Sequence, residues 1–352
     1  MATKKSIRFG LLGAGLVAPT HAKAIRSAEG CELAAVADPD SPRAEAFARE
    51  YSCKAYSSLE QLLADKAIEV ICILTPNHLH HAGALAAIAA GKHVLVEKPP
   101  ALSLPDLDAM VAAAAKAGVK LGIVLQCRVR PPIQAMLAAI DEGRFGRILH
   151  ADAFMKWFRT TEYYLTTPWR KLKGSGSGVT MHLAFHYIDL LQYLVGPASS
   201  VTARMCNLAH PQVELEDTTS ALLEYRCGAR GVVEASTALW PGQDVLIEIH
   251  GENGSAVMAG DHMETWTFRR ERPGDEAARK LGERAVSAAS GPADLGFRDH
   301  QAIIEDMADA VRTGKEPLIP AASARPTLEL VLAMYQSAAT GQTVKLPLAV
   351  LP

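Results

Sequence analysis

Apolar residues in the first third of the chain come in short runs separated by helical stretches. Ile7 to Leu12 reads as a buried strand, followed by the turn Gly13-Ala14-Gly15-Leu16-Val17-Ala18 and a helix over Thr20 to Ala28. A second strand, Glu32 to Ala37, ends at Asp38 and leads into a helix over Ser41 to Tyr51, a short segment around Ala55 and a helix over Leu59 to Ala64. The Ile- and Val-rich run Glu69 to Leu74 ends in Thr75-Pro76-Asn77, where Asn77 is expected to cap a helix running to Ala90 and stopped by Gly91. Val94 to Val96 is a strand cut short by Glu97-Lys98-Pro99-Pro100. A helix over Leu104 to Ala117 stops at Gly118, and a strand covers Lys120 to Leu125. This alternation predicts a parallel, doubly wound sheet, with the strand tips at Gly13, Thr75 and Glu97 lining one crevice.

After Gln126-Cys127-Arg128 the pattern changes. A helix from about Pro132 to Glu142 precedes a strand over Arg147 to Trp157 and a loop with Tyr163, Tyr164, Pro168, Trp169 and Arg170. The run Gly174 to Gly178 is expected to be a loop shaped for close approach to a ligand, and apolar spacing predicts a helix over His182 to Val195. Six strand-like runs follow: Val201 to Cys206, Thr218 to Tyr225, Gly231 to Ala238, Val245 to His250, Ser255 to Ala259 and Glu264 to Arg269. Short turns such as Cys227-Gly228 and Glu252-Asn253-Gly254 imply a large, mostly antiparallel sheet. Glu271 to Pro292 reads as a surface helix or mobile loop, and helices over Phe297 to Thr313 and Ala324 to Thr340 close the chain. The fold class expected is α/β: an N-terminal Rossmann domain with a doubly wound parallel sheet, residues 1–126, and a C-terminal α+β domain with an open sheet, residues 127–352.

Length and composition narrow the functions this architecture can carry. With 352 residues, the chain is long enough for two full hydrophobic cores. A formal net charge of −2 without any basic stripe argues against a nucleic-acid partner. Apolar stretches are broken within about ten residues, too short for a bilayer, and Met1 to Ser6 leads straight into a strand without a leader pattern. The six cysteines are scattered with no Cys-x-x-Cys pair, which points to reduced thiols in the cytoplasm.

Two stretches bear chemistry. A strand, a Gly-x-Gly-x-x-Ala turn and a helix form the dinucleotide fingerprint in its required setting: Gly13 allows the tight turn and Gly15 lets the backbone approach a pyrophosphate. Asp38 lies about twenty residues on, where an acid receives the ribose hydroxyls. It would repel a 2′-phosphate, so the cofactor expected is NAD rather than NADP, a preference that Arg43, close behind, softens. The other stretch is Glu97-Lys98: a lysine at the tip of a buried strand, partly desolvated, is suited to proton transfer or to polarising a hydroxyl.

Glycine fingerprint, Asp38, Thr75-Pro76-Asn77, Glu97-Lys98-Pro99 and a glycine-rich loop leading to His186-Tyr187-Ile188-Asp189 occur in one order. Together they resemble the Gfo/Idh/MocA family of glucose-fructose oxidoreductase and inositol dehydrogenase, over nearly the whole chain. The resemblance implies hydride transfer between a secondary hydroxyl of a sugar, cyclitol or related polyol and NAD(P), and association as a homodimer or homotetramer through the open sheet face. It makes Lys98 and His186 catalytic, joined by His182, which stands where members usually carry an aspartate. On one helix His182 and His186 would face the same way, and Lys98 without that aspartate is expected to have a lower pKa than in those members. His186 would take the hydroxyl proton while Lys98 steadies the developing alkoxide. Cofactor contacts are expected from Gly13, Gly15, Leu16, Val17, Asp38, Thr75, Asn77, Gln126 and Lys98, with Glu97 and His80 bordering the nicotinamide. Substrate contacts are expected from Lys98, Tyr164, Trp169, Arg170, His182 and His186.

Rival readings are a metal site on His182, His186 and Asp189, which lacks the glutamate of a His-Glu-x-x-His motif; an NAD-assisted glycoside hydrolase or lyase; and an NAD-sensing regulator without chemistry. No metal is expected.

Overall fold

The structure is a computed structural model that describes residues 6–282, 289 and 296–349. The expectation for the first five residues, and the part of Glu271 to Pro292 at 283–288 and 290–292, lie outside the described residues. The chain folds as two compact units. One takes the described residues up to Gln126 together with Gly296–Arg325; the other takes those from Cys127 onward and the final stretch from Pro326.

In the first unit, strands β1 (Ile7–Leu12), β2 (Cys31–Ala37), β3 (Lys54–Tyr56), β4 (Val70–Ile73), β5 (His93–Val96) and β6 (Leu121–Ile123) form one sheet, all parallel, in the order β3-β2-β1-β4-β5-β6. Helices α1 (Ala18–Ser27), α2 (Ser41–Tyr51), α3 (Leu59–Ala64), α4 (His80–Ala89) and α5 (Leu104–Ala117) connect them. The short side chains Asp40, Ser58 and Ser103 cap α2, α3 and α5 by accepting the amides of Arg43, Gln61 and Asp106. Strand order reverses between β1 and β4, the switch point at which open α/β sheets bind ligands.

In the second unit, α6 (Pro131–Asp141) precedes β7 (Ile148–Lys156), α7 (Thr161–Leu165) and α8 (Phe185–Val195). Strands β8 (Ala198–Cys206), β9 (Thr218–Tyr225), β10 (Arg230–Ser236), β11 (Leu246–Gly251), β12 (Gly254–Ala259) and β13 (His262–Phe268) follow. Further along the chain are α9 (Asp275–Ala278), α10 (Arg298–Thr313), α11 (Arg325–Thr340) and β14 (Val344–Lys345). The eight-stranded sheet runs β13-β12-β11-β7-β10-β9-β8-β14 and is antiparallel except for the β7–β10 pair. Ala151, Ala153, Met155, Ile247 and Ile249 are buried on one face, whereas His150, Glu248 and Leu222 point to the other.

Three expectations change. The second domain is not continuous: α10, with Ile303, Ile304 and Met307 buried, packs on α1 in the first unit, where Gln301 Nε2 donates to the Ser27 carbonyl at 3.1 Å, and Ile319 to Pro320 covers the edge of β6, where the Ile123 amide donates to the Ile319 carbonyl at 3.0 Å. A bare edge strand is a pairing hazard, and the returning chain removes it. The described part of Glu271 to Pro292 is not merely surface, because Asp275 is buried in a two-pronged pair with Arg144 and accepts the Trp266 indole N–H at 2.8 Å. Asn77 does not cap α4; it opens a single 3₁₀ turn, Asn77–Leu79, and is itself buried.

The second unit is tied at Asp189 of α8, which is 1 % exposed. Arg128 donates from Nε at 2.7 Å and Nη2 at 2.6 Å, and Thr327 Oγ1 at 2.8 Å. Asp189→Ala leaves the guanidinium buried without its counter-charge and is expected to lower stability by about 3–5 kcal/mol in urea unfolding, with Asp189→Asn losing less.

Candidate active site

Parallel register aligns Ala37, Leu12, Ile73 and Val96 across neighbouring strands, so the residues that follow them leave the sheet at one edge. Gly13 turns away with φ of +108°, and a Cβ there would lie 2.8 Å from the Leu74 carbonyl oxygen. Gly15 has nothing within 4 Å of where its Cβ would be, which leaves the backbone open to a diphosphate. No side chain caps the N-terminus of α1 at Val17, and Leu16 is 60 % exposed beside it. An uncapped helix start favours an anion through its dipole and amides. Asp38 is buried at the end of β2: Oδ2 accepts the Ala14 amide and Oδ1 the Asp40 amide, both at 2.9 Å. It thus holds the glycine turn, and each oxygen keeps a further lone pair for a ribose hydroxyl. Arg43 approaches Asp38 to 3.6 Å but bonds Asp40 at 2.8 Å. These features fit a dinucleotide.

At the β4 and β5 tips the arrangement departs from expectation. His80 is 1 % exposed and does not border an open site: Nδ1 lies 2.7 Å from the Pro99 carbonyl oxygen and Nε2 2.8 Å from that of Thr75. It bridges the β4 tip to the turn after Lys98. Burial pulls its pKa down, although both carbonyls favour the protonated ring. Glu97 is also buried, with Oε1 2.8 Å from His21 Nε2 and Oε2 accepting the Lys98 amide at 3.2 Å. Burial alone would push its carboxyl up. The His21 hydrogen bond and the charges of His21, His300 and Lys98 outweigh that and hold it well below the usual carboxylate range. Lys98 itself is half-buried, and Thr75 and Gln126 are likewise partly exposed.

In the second unit, the helix expected from His182 starts at Phe185, preceded by a π-turn over Val179–Leu183 closed by the Ala184 amide on the Val179 carbonyl at 2.8 Å. A five-residue bond widens that turn, so the stacking of residues four apart, argued for a straight helix, does not carry over to His182 and His186. His182 meets the Trp169 ring edge-on at 5.4 Å, and His186 lies in the first turn of α8. Arg170 stacks over Tyr163 at 4.2 Å and donates to its carbonyl oxygen at 3.1 Å. Tyr164 is 3 % exposed with its hydroxyl 2.7 Å from Thr237 Oγ1, so it packs the unit and does not offer a substrate contact. Trp169 and Arg170 lie on a 3₁₀ turn, Pro168–Lys171, and not in open loop. Asp189 is spent on Arg128 and Thr327, which removes one donor from the rival metal reading.

Several residues carry this geometry without a signal in the sequence. Glu216 accepts the Thr180 amide at 3.1 Å and the Tyr335 hydroxyl at 2.7 Å, and its carbonyl accepts the Val179 amide at 3.1 Å. A Cβ on Gly178 would lie 2.2 Å from the Glu216 carboxylate, so this glycine serves packing within the unit and not approach to a ligand. Ser175 and Ser177 are buried and bonded to each other, and Ser177 Oγ donates to the Arg170 carbonyl at 2.6 Å. His21 and His300, on α1 and α10, are the others. Long-range contacts made by single residues leave no periodic trace.

A doubly wound sheet with a glycine turn, an acid at the end of β2 and a lysine at the β5 tip defines a dinucleotide-dependent oxidoreductase. The oxidoreductase family GFO/IDH/MocA, NAD-binding Rossmann fold, matches residues 7–124, and the GFO/IDH/MocA C-terminal domain matches residues 133–257. Scyllo-inositol 2-dehydrogenase (NAD(+)) of Bacillus subtilis is 30 % identical over 97 % of this chain and 96 % of its own. The 1,5-anhydro-D-fructose reductase of Ensifer adhaerens is 28 % identical over 96 % and 98 %. Among solved structures, the WlbA dehydrogenase of Bordetella pertussis, in complex with NADH and UDP-GlcNAcA, is 32 % identical with a TM-score of 0.89, covering 99 % of this chain and 100 % of that one. The chain belongs to the Gfo/Idh/MocA family, and it is an NAD-dependent oxidoreductase.

Burial raises the Glu216 carboxyl above its usual pKa despite its hydrogen bonds from Tyr335 and Thr180. An acid raised on folding adds stability below its unfolded pKa that is lost as pH rises through the folded value. Glu216→Gln is therefore expected to remove that loss. Its urea-unfolding free energy should fall less than the parent's between mildly acid and mildly alkaline pH, and identical slopes would contradict the assignment.

Proposed function

We propose that this enzyme oxidises a secondary hydroxyl on the sugar ring of a nucleotide-linked sugar acid. The observation that carries this reading is the likeness to the Bordetella enzyme across both units, at higher identity than to the two free-sugar and cyclitol enzymes above. Arg170, stacked over Tyr163 and next to Trp169, supports it, since a guanidinium on an aromatic face suits an anionic sugar.

In this reaction His186 takes the hydroxyl proton, and Lys98 donates a hydrogen bond to the same oxygen as alkoxide character grows. Bound NAD would supply the hydride acceptor for this oxidation, whose product is the ketone. Gly13, Gly15 and the start of α1 would hold the diphosphate, Asp38 would receive the ribose hydroxyls, and its charge would disfavour NADP despite Arg43. Leu16, Val17, Thr75 and Gln126 complete the cofactor side. His182, edge-on to Trp169, binds substrate hydroxyls. Cys31, Cys53, Cys72, Cys206 and Cys227 form no disulfide, which supports a cytoplasmic enzyme.

The open face of the eight-stranded sheet meets a second copy of the chain. Leu222 on β9 is 64 % exposed there beside Val232 of β10, an apolar spot in a field of paired charges such as Lys156–Glu234 and Arg230–Glu224. Leu222→Asp is expected to shift the enzyme toward monomer in light scattering, and an unchanged mass would remove this face as the interface.

A single-turnover absorbance assay tests the substrate. UDP-GlcNAcA is expected to reduce enzyme-bound NAD, whereas myo-inositol and levoglucosan leave it oxidised. NADH formation with the free polyols alone would overturn the nucleotide-linked reading. Lys98→Ala and His186→Ala should each still bind NADH and lose turnover by at least about a hundredfold; near-normal turnover in either removes that residue from the mechanism.

A further inference from the structure

Resting on that reading of Lys98, we infer that His21, Glu97 and His300 form a buried positioning device that fixes the backbone of Lys98 and keeps a negative charge on the residue before it. Three parts of the first unit converge: α1, just behind the glycine turn; the β5 tip; and α10, brought back from two hundred residues later in the chain. Glu97 Oε1 lies 2.8 Å from His21 Nε2 and 4.0 Å from His300 Nε2, and the two rings meet edge-on at 5.2 Å. The side chains are 10 %, 0 % and 4 % exposed for Glu97, His21 and His300.

A carboxylate removed from water persists as an anion only where partners repay the lost hydration. Here the partners are the two imidazoles and, on the other oxygen, the Lys98 amide at 3.2 Å. That amide bond ties the acid to the backbone of the residue whose side chain does the chemistry. His80 from α4 and the buried Cys72 thiol of β4 also feel the Glu97 charge, and His80 feels that of Lys98. His80 secures the far side of the same turn at the Pro99 carbonyl.

The cluster has the composition of a metal site, with one ligand atom from each residue within 4.8 Å of the others. A tetrahedral ion with bonds of ~2.0 Å would hold its donors roughly 3.3 Å apart. The 2.8 Å contact between His21 and Glu97 is instead that of a hydrogen bond carrying its proton.

Three variants test the device: His300→Leu, which removes the second imidazole; His300→Gln, which keeps a hydrogen-bonding group; and Glu97→Gln, which keeps the shape and removes the charge. The expected result is a kcat loss of roughly tenfold or more in His300→Leu with NADH affinity little changed, and partial recovery in His300→Gln. In Glu97→Gln the alkaline limb of the kcat–pH profile should move to lower pH, because Lys98 loses the charge that favours its ammonium. A drop in melting temperature with kcat and pH profile unchanged in His300→Leu and Glu97→Gln would make the cluster purely structural and overturn the inference. If His300→Leu does not fold, Glu97→Gln decides by the same readouts. Turnover retained in Lys98→Ala would instead overturn the reading of the lysine, and the device with it; loss in Lys98→Ala alone, with the cluster variants normal, would overturn the device only.

Discussion

The hydrogen-bonded register of four parallel strands is the constraint on which the dinucleotide end depends. Because β2, β1, β4 and β5 finish in one row, Asp38, Gly13, Leu74 and Glu97 emerge side by side, with Thr75 directly after Leu74, although Gly13 and Glu97 lie 84 residues apart in sequence. A slip in register would separate the acid from the glycine turn it braces through the Ala14 amide. The edge is then finished by short polar links, Asp38 to the glycine turn and His80 between two neighbouring tips, which cost nothing in apolar packing and tolerate little change in length.

Most of the first unit was legible. Short apolar runs alternating with helical stretches leave few alternatives to a doubly wound sheet, and α2, α3 and α5, each capped by a short polar side chain, have the expected bounds. The fingerprint and the acid after β2 were equally plain, since both are local. What periodicity did not show is where the chain goes back. Nothing in the spacing of Ile303, Ile304 and Met307 says which unit their apolar stripe covers, so α10 was assigned by its neighbours in sequence and not by its neighbours in space.

At the candidate site the same limit applies to polar residues. His80 and Glu97 were expected, from the family resemblance, to border the nicotinamide, yet both side chains are turned inward to protein partners. A strand tip fixes the backbone; the side chain follows whichever acceptor or donor lies within reach. The glycine-serine run shows the converse. Its composition suggested an open ligand loop, but Gly178 is small because Glu216 occupies the space, and its serines are bonded within the loop. The π-turn that carries His182 has no compositional signature, and a single extra residue in a turn is enough to redirect a side chain.

The return of residues 296–325 to the first unit bears on how such a protein can be recombined. A crossover near residue 126 looks like a natural seam, with the cofactor fold on one side and the rest on the other. A chimera built there would strip β6 of the strand-like cover at Ile319 to Pro320 and would pair Glu97 with a foreign residue in place of His300. The cofactor unit is therefore inherited in two pieces, and an exchange that preserves it needs a second crossover on each side of α10.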